Sequence, residues 1–86
     1  MTPDREAIEA EILAWVSERG TGKTICPSEV ARALAEQEGE WRALMREIRA
    51  AAATLMRKGH LVVTQKGDRV DIETATGPVR LGLPPH

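Results

Sequence analysis

Apolar residues recur at intervals of three and four along three stretches of the chain, and this spacing predicts three amphipathic helices. We expect the first helix over residues 3–19, with the Thr2 hydroxyl as its N-cap and Pro3 in its first turn. The second helix is expected over residues 27–37 and the third over residues 41–58. Because only three residues separate these two helices, we expect them to cross as a helix-turn-helix.

Several residues at the boundaries of these segments suit helix ends. Cys26 precedes the second helix as its N-cap, with Pro27 in the first turn and Glu29 three positions after the cap. Gly59 follows the third helix, where glycine readily takes the left-handed conformation that ends a helix. We expect four side chains of the two helices to share one core: Leu34, Leu44, Ile48 and Leu55.

Beyond Gly59 the apolar positions alternate with polar ones, and this period of two predicts β-strands. Four segments are expected to be extended: residues 24–25, 61–65, 70–72 and 79–83. Residues 66–69 include a glycine and are expected to form a turn. Residues 84–86 are expected to form a frayed C-terminal tail.

The order of these elements predicts an α+β fold of the winged-helix type. Three helices with a helix-turn-helix come first, and a C-terminal β-hairpin forms the wing. The chain has 86 residues, which is enough for one hydrophobic core. We therefore predict a single winged-helix-like domain over residues 1–83, followed by the tail at 84–86.

Four segments carry a resemblance to a known family: residues 22–31 (GKTICPSEVA), 41–45 (WRALM), 63–67 (VTQKG) and 77–81 (GPVRL). On these segments the chain resembles a family of small bacterial domains of unknown function, and the resemblance extends over residues 8–83. It implies a winged-helix-like fold. It implies no activity, because that family has no assigned chemistry.

The distribution of charge points to an anionic partner for the second half of the chain. The whole chain has a net charge of −1. Residues 1–40 carry four bases and nine acids, whereas residues 41–86 carry eight bases and four acids. This asymmetry is typical of proteins that bind anionic partners. Two oppositely charged faces that only keep the protein soluble would give the same asymmetry.

The sequence offers little for catalysis or metal binding, so we predict neither an enzyme nor a cofactor. Gly20 to Thr24 resemble the end of a phosphate-binding loop, but Ser17 stands where the first glycine of that motif is required. Three isolated side chains are candidate metal ligands, without the spacing of a zinc site: Cys26, His60 and His86. Neither of the two serines lies in a nucleophile motif. No small-molecule substrate is expected.

The lone cysteine and the apolar runs bear on location. Cys26 cannot form an internal disulfide, which suits a reducing cytoplasm. No apolar run approaches the ~18 residues of a membrane span, and the N-terminus lacks the pattern of a signal peptide. We therefore expect a cytoplasmic protein without membrane contact, and an inert structural role for Cys26.

Basic residues of the third helix and the hairpin form the candidate site. Arg42, Arg46 and Arg49 lie within about 60° of one another on the third helix. Lys66 and Arg69 lie at the hairpin turn. In a helix-turn-helix the second of its helices enters the major groove of double-stranded DNA, and guanidinium groups suit phosphates. Since the helix lacks Asn, Gln and Ser, we expect mainly phosphate contacts and weak sequence specificity.

A second hypothesis assigns the same fold to protein interaction or dimerisation without nucleic-acid binding. The acidic first helix, with Leu13 and Trp15 at the edges of its apolar arc, is then the contact surface. The arginines of the third helix would cover apolar surface with their methylene groups, or Arg42 and Arg49 would pair with Glu29 or Glu36. The sequence leaves both hypotheses open.

Overall fold

The computed structural model describes residues 3–37 and 39–85. In these residues the chain forms three helices: α1 (Arg5–Arg19), α2 (Pro27–Leu34) and α3 (Trp41–Arg57). It also forms four strands: β1 (Thr24–Ile25), β2 (Val62–Gln65), β3 (Asp68–Arg69) and β4 (Arg80–Gly82). The strands make one antiparallel sheet in the order β1-β4-β2-β3. The predicted α+β class is confirmed, and the arrangement is compatible with a winged-helix-like fold.

Helix α1 begins later than predicted because Asp4 caps it. The Asp4 carboxylate accepts a hydrogen bond from the backbone N–H of Ala7 at 2.8 Å. A carboxylate at this position also interacts favourably with the positive end of the helix dipole. Pro3 therefore lies outside the helix, and the prediction that it occupies the first turn is wrong. Thr2, the predicted cap, lies outside the described residues.

Helix α2 begins as predicted but ends three residues early. Cys26 is the N-cap and Pro27 opens the helix, and the Glu29 carboxylate accepts a hydrogen bond from the Cys26 N–H at 2.7 Å. The helix ends at Leu34 because Ala35 takes an extended backbone conformation. No large apolar side chain follows Leu34 until α3 begins, so nothing would hold a further turn against the core. Glu38 of the predicted turn lies outside the described residues.

Helix α3 ends within one residue of its predicted boundary. Gly59 has a φ of +80°, and its N–H donates to the carbonyl of Met56 at 3.0 Å. The N–H of His60 donates to the carbonyl of Leu55 at 2.9 Å. These two bonds form a Schellman motif, which satisfies carbonyl groups that the end of a helix would otherwise leave unpaired.

The hairpin between β2 and β3 has a tighter turn than predicted. Lys66 and Gly67 have φ values of +53° and +88°, as the two central residues of a type I′ turn require. Asp68 and Arg69 were expected in the turn, but they form β3 and pair with residues of β2. The two-residue turn matches the twist of the strands, which explains why pairing begins at once.

The alternating segment at residues 70–72 is not a strand. The Asp71 carboxylate accepts a hydrogen bond from the N–H of Glu73 at 2.8 Å, and residues 72–74 form a turn. An aspartate that bonds the backbone two residues later favours a turn over an extended chain. Ile72 is nevertheless buried. Residues 70–79, which connect β3 to β4, are called the connecting loop below.

The core lies between one face of the sheet and the three helices. Ile25, Val63 and Leu81 lie side by side on β1, β2 and β4, and each is at most 1% exposed. Of the four predicted core residues, Ile48 and Leu55 are buried, and Leu34 and Leu44 are half-buried and pack against the core. In the described ranges, no helix is long and apolar enough to cross a bilayer.

Candidate nucleic-acid interface

Helix α3 presents its candidate arginines on the side that faces away from the core. Arg42 and Arg46 are exposed, whereas Arg49 is half-buried. The side chains of Ile48 and Leu55 point to the opposite side and are buried. The burial pattern therefore agrees with the helical spacing that placed the three arginines on one face.

Arg46 and Arg49 line a depression with two further arginines. Arg5 comes from the start of α1 and Arg57 from the end of α3, and the depression has a volume of about 600 Å³. Among the described residues that line it, Glu73 of the connecting loop is the one with a carboxylate. Four guanidinium groups from two helices therefore surround a single carboxylate. This local excess of positive charge contrasts with the net charge of −1 of the whole chain.

Arg49 holds the connecting loop against α3. Its guanidinium group donates hydrogen bonds to the carbonyls of Ala75 at 3.2 Å and Gly77 at 3.5 Å. From the sheet, the side-chain amide of Gln65 donates to the carbonyl of Thr76 at 2.6 Å. The loop is thus tied to both α3 and β2. A guanidinium group has five N–H donors, so these two bonds leave part of it available.

Two ion pairs border the depression. Arg57 pairs with Glu73, and the two side chains are 55% and 49% exposed. Arg5 lies 4.0 Å from the Glu47 carboxylate, again with both side chains about half exposed. Exposed pairs of this kind contribute little to stability, because water and salt screen them. They do reduce the positive charge that the depression presents.

Arg42 lies apart from this depression and stacks on Trp41. The guanidinium carbon of Arg42 is 4.9 Å from the centroid of the Trp41 ring. The guanidinium carbon of Arg32, on α2, lies 4.5 Å from the same ring centroid. Arg32 could not be identified from the sequence, because contact between residues nine positions apart across a turn leaves no local signal. Arg5 could not be identified either, because the arginines of α3 that it joins are more than 40 positions away.

Lys66 and Arg69 lie on the hairpin of β2 and β3, and both are exposed. Lys66 occupies the tip of the turn. Arg69 borders a different depression, of about 210 Å³, which Met56 at the end of α3 also lines. The structure thus brings Arg46 and Arg49 together in one depression, which Arg42, Lys66 and Arg69 do not line.

A separate cluster of arginines lies where α1, β1 and α2 meet. Arg19 forms an ion pair with Glu29 at 2.9 Å, and Arg80 donates to the hydroxyl and carbonyl oxygens of Thr24 at 3.0 and 3.2 Å. The backbone N–H of Cys26, followed by Arg19, holds the pKa of the Glu29 carboxyl below its usual value. Glu29, a predicted alternative partner of the α3 arginines, is thus bound by Arg19.

The remaining candidate side chains belong to α1 and to the start of α2. Leu13 and Trp15 are half-buried on α1, and the Trp15 indole N–H donates to Glu11 at 3.1 Å. Cys26 is half-buried, with its Sγ 3.0 Å from the Ser28 hydroxyl oxygen. Within residues 3–37 and 39–85, no three His, Cys, Asp or Glu side chains are grouped so that they could hold a metal ion.

Comparison with known proteins identifies a family but no activity. No curated protein matches the chain. Residues 5–84 match a family described as "Protein of unknown function (DUF3253)". The match includes every helix and strand described above and confirms the resemblance to a family of small domains of unknown function. On this match, the chain belongs to the DUF3253 family.

Proposed function

We propose that this protein binds double-stranded DNA, with α3 in or beside a groove and its arginines on backbone phosphates. One observation carries the proposal. Arg42 and Arg46 are exposed on the N-terminal half of α3, and neither forms an ion pair with a carboxylate in the described part of the chain. In a helix-turn-helix, the N-terminal residues of the second helix are those that contact DNA.

The charge of the surrounding surface supports this proposal. The depression beside Arg46 is lined by four arginines and one carboxylate. A surface that neutralises phosphates releases the cations condensed on DNA, and this release favours binding. A protein with a net charge of −1 therefore binds DNA only through such a local surface.

The residues of the site would have different roles. Arg42 and Arg46 contact phosphates directly, and Lys66 at the hairpin tip contacts the backbone beside the groove. Arg49 positions the connecting loop and reaches a phosphate only with its remaining N–H groups. Arg69 adds positive charge at the base of the hairpin. Because α3 has no Asn, Gln or Ser, binding is expected to depend weakly on sequence.

The role proposed is therefore that of a cytoplasmic, non-catalytic DNA-binding protein. Helices α2 and α3 act as its helix-turn-helix, and residues 62–82, with the hairpin and connecting loop, act as its wing. The family assignment is silent on each of these points; the DNA-binding role rests on the arginine surface, and the cytoplasmic location on the sequence pattern alone.

The test is fluorescence anisotropy with two unrelated duplexes between 50 and 200 mM salt. If about four phosphates are neutralised, log K falls with log salt at a slope near −3.6, roughly 150-fold over this range. Arg46→Ala is expected to weaken binding to both duplexes equally and to reduce the slope by about one unit. Lys23→Ala is the matched control, because it removes one exposed positive charge far from α3 in sequence.

Two results would contradict the proposal. The first is no binding to either duplex at 50 mM salt with tens of micromolar protein. The second is an effect of Arg46→Ala no larger than that of Lys23→Ala, which would show that α3 is not the contact surface.

The alternative function, a protein-interaction or dimerisation module, is favoured by the surface of α1. Leu13 and Trp15 remain half-buried there, next to acidic side chains such as Glu11. Sedimentation equilibrium distinguishes the two functions. A dimer that dissociates in Trp15→Ala, together with no DNA binding at 50 mM salt, would replace the first proposal with the second.

A further inference from the structure

The depression that Arg46 and Arg49 line, called the arginine depression below, has charged groups at the solvent and an apolar base. Its volume of about 600 Å³ lies within the roughly 300–1,000 Å³ of pockets that bind small ligands. Its exposed arginines are Arg5, Arg46 and Arg57. Ala53 and Ile72, which also line it, are 6% and 4% exposed. The depression can therefore hold a small ligand whose charged groups face the arginines.

Positive charge exceeds negative charge there even when both ion pairs of the depression are counted. Glu73 pairs with Arg57, and the Glu47 carboxylate lies 4.0 Å from Arg5. Four arginines against these two carboxylates leave an excess of two positive charges. Because the paired side chains are about half exposed, each pair is weak and a stronger anion can replace the carboxylate.

The arginines of α3 that line the depression are spread along the helix. Arg46 and Arg57 are eleven residues apart, which corresponds to about 16 Å of helix. Arg49 lies between them and already donates to the carbonyls of Ala75 and Gly77. A ligand with several linked phosphate groups matches this spread better than a single phosphate ion does, because each arginine can contact a different phosphate.

Glu73 is the anion of the chain itself that such a ligand would displace. Its carboxylate lines the depression and pairs with Arg57. The backbone of the connecting loop is held independently of this carboxylate, by Asp71 at the N–H of Glu73 and by Arg49 and Gln65 at carbonyls further along. The Glu73 side chain can therefore leave Arg57 while the loop stays in place. Phosphate then takes its position, since guanidinium groups bind phosphate through paired N–H donors.

We propose that the arginine depression binds a small ligand with two or more linked phosphate groups, either a nucleotide or a short inorganic polyphosphate. Arg46 and Arg57 contact its phosphates, Arg5 adds positive charge, and Glu73 is displaced from Arg57. The ligand is bound and released without chemical change. This site does not depend on the proposed function. Because Arg46 belongs to both surfaces, the ligand competes with DNA and regulates its binding wherever the proposed function holds.

The first arm of the test titrates sodium tripolyphosphate and, separately, sodium phosphate into the protein at 50 mM salt, followed by isothermal titration calorimetry. We expect saturable binding of tripolyphosphate, and binding of phosphate that is at least about tenfold weaker because its contacts are not linked. Arg57→Ala should weaken tripolyphosphate binding about tenfold, since one charged hydrogen-bond contact is lost. The matched control is Lys58→Ala, because the exposed Lys58 carries the same charge one residue away and does not line the depression. It should change the affinity at most about twofold, since salt screens a charge outside the site.

The second arm tests the displacement of Glu73. Glu73→Gln should bind tripolyphosphate about two- to fivefold more tightly, because the neutral amide no longer competes for Arg57. In the double variant with Arg57→Ala this gain should be smaller, since the competing pair is already absent. An equal gain in both backgrounds would show that Glu73 acts only as a distant charge, and its displacement from Arg57 would be wrong.

The third arm distinguishes the two sources of linked phosphates by titrating ATP in the same way. Equal affinity for ATP and tripolyphosphate assigns the site to the phosphate chain, and inorganic polyphosphate is then the ligand. Tighter binding of ATP assigns the site to a nucleotide, whose nucleoside then packs on the apolar base formed by Ala53 and Ile72.

Three results would overturn this inference: no saturable binding of tripolyphosphate at millimolar concentration, equal affinity for phosphate and tripolyphosphate, or equal losses in Arg57→Ala and Lys58→Ala. If duplex DNA still binds in the anisotropy measurement, the proposed function stands without this site. If tripolyphosphate binds as expected and DNA does not, the site stands and the proposed function is wrong. If both bind, tripolyphosphate should displace the labelled duplex at constant ionic strength. Displacement that Arg57→Ala does not weaken would show that the two ligands do not compete at the arginine depression.

Discussion

The arginines at the junction of α1, β1 and α2 differ from those on α3 in what they bind. Arg19 and Arg80 at the junction bond to Glu29 and Thr24, which belong to the fold itself. On α3, Arg49 is bonded to the connecting loop, whereas Arg42 and Arg46 form no ion pair with a carboxylate in the described ranges. The side chains are identical, so the nearby acceptors decide the difference.

This comparison shows how to separate structural cations from candidate binding cations. A guanidinium group that already donates to carbonyl or carboxylate oxygens loses those bonds when it binds a ligand. A guanidinium group without such partners loses only water. Positions with unsatisfied charge are therefore the better candidates for an anionic partner, and they are expected to contribute little to stability.

The largest expected effect on the free energy of unfolding comes from the side of α3 that lies opposite the arginines. Leu55 is 2% exposed, so Leu55→Ala should lower the free energy of unfolding by about 2–5 kcal/mol. The measurement is urea denaturation, with the exposed Lys58→Ala as a control. A midpoint equal to that of the control would place Leu55 on the surface, and the orientation of the arginine face would then be wrong.

The second largest effect on stability is expected to differ between two arginines of α3, Arg49 and Arg46. Arg49→Ala removes two hydrogen bonds to the connecting loop and should lower the free energy of unfolding by about 1–2 kcal/mol. Arg46→Ala should change it by less than about 0.5 kcal/mol. Equal destabilisation by the two substitutions, measured by thermal unfolding, would remove the distinction between a structural and a binding arginine.

Glu29, at the junction of α1, β1 and α2, should make the stability of the protein depend on pH. Its pKa lies below the usual 4.5, first because the Cys26 N–H donates to the carboxylate and further because of Arg19. The stabilisation is therefore present above pH 4.5 and is lost as the pH falls below that value. Glu29→Gln should be less stable by about 1 kcal/mol at pH 7, and this difference should vanish at acid pH. A difference that stays constant from pH 7 to pH 3 would contradict this assignment.

The smallest effect is expected for the ion pair of Arg57 and Glu73. Both side chains are about half exposed, so Glu73→Gln should lower the free energy of unfolding by less than about 0.5 kcal/mol. In 0.5 M salt even this difference should disappear. The same substitution removes the carboxylate from the arginine depression, so DNA affinity at 50 mM salt should rise. Unchanged affinity would show that the depression is not part of the contact surface.

Much of the fold follows from local patterns in the sequence. The spacing of apolar residues predicts all three helices of the described ranges, and Gly59 marks the end of α3. The predicted element boundaries are wrong where a polar side chain forms a hydrogen bond with the backbone that the apolar pattern does not reveal. Asp4 caps α1 two residues after Thr2, the cap expected from sequence, and Asp71 turns the chain where alternation predicted a strand.

The candidate site is less predictable because it depends on contacts between distant segments. Helical spacing places Arg42, Arg46 and Arg49 on one face of α3, as the structure has them. Helical spacing does not tell which of these three arginines donates a hydrogen bond to an acceptor elsewhere in the chain. The bonds of Arg49 reach residues 26 and 28 positions away, and the loop that accepts them has no regular pattern.

The sequence by itself determined the three helices, the presence of a turn that includes Gly67, and the concentration of bases in the second half. These features depend on neighbours within a few residues, where periodicity and backbone preference act. Only the tertiary structure decided that Arg49 is tied to a loop and that Arg32 joins Arg42 on Trp41. Such contacts form when separate elements pack, and packing is a property of the whole chain.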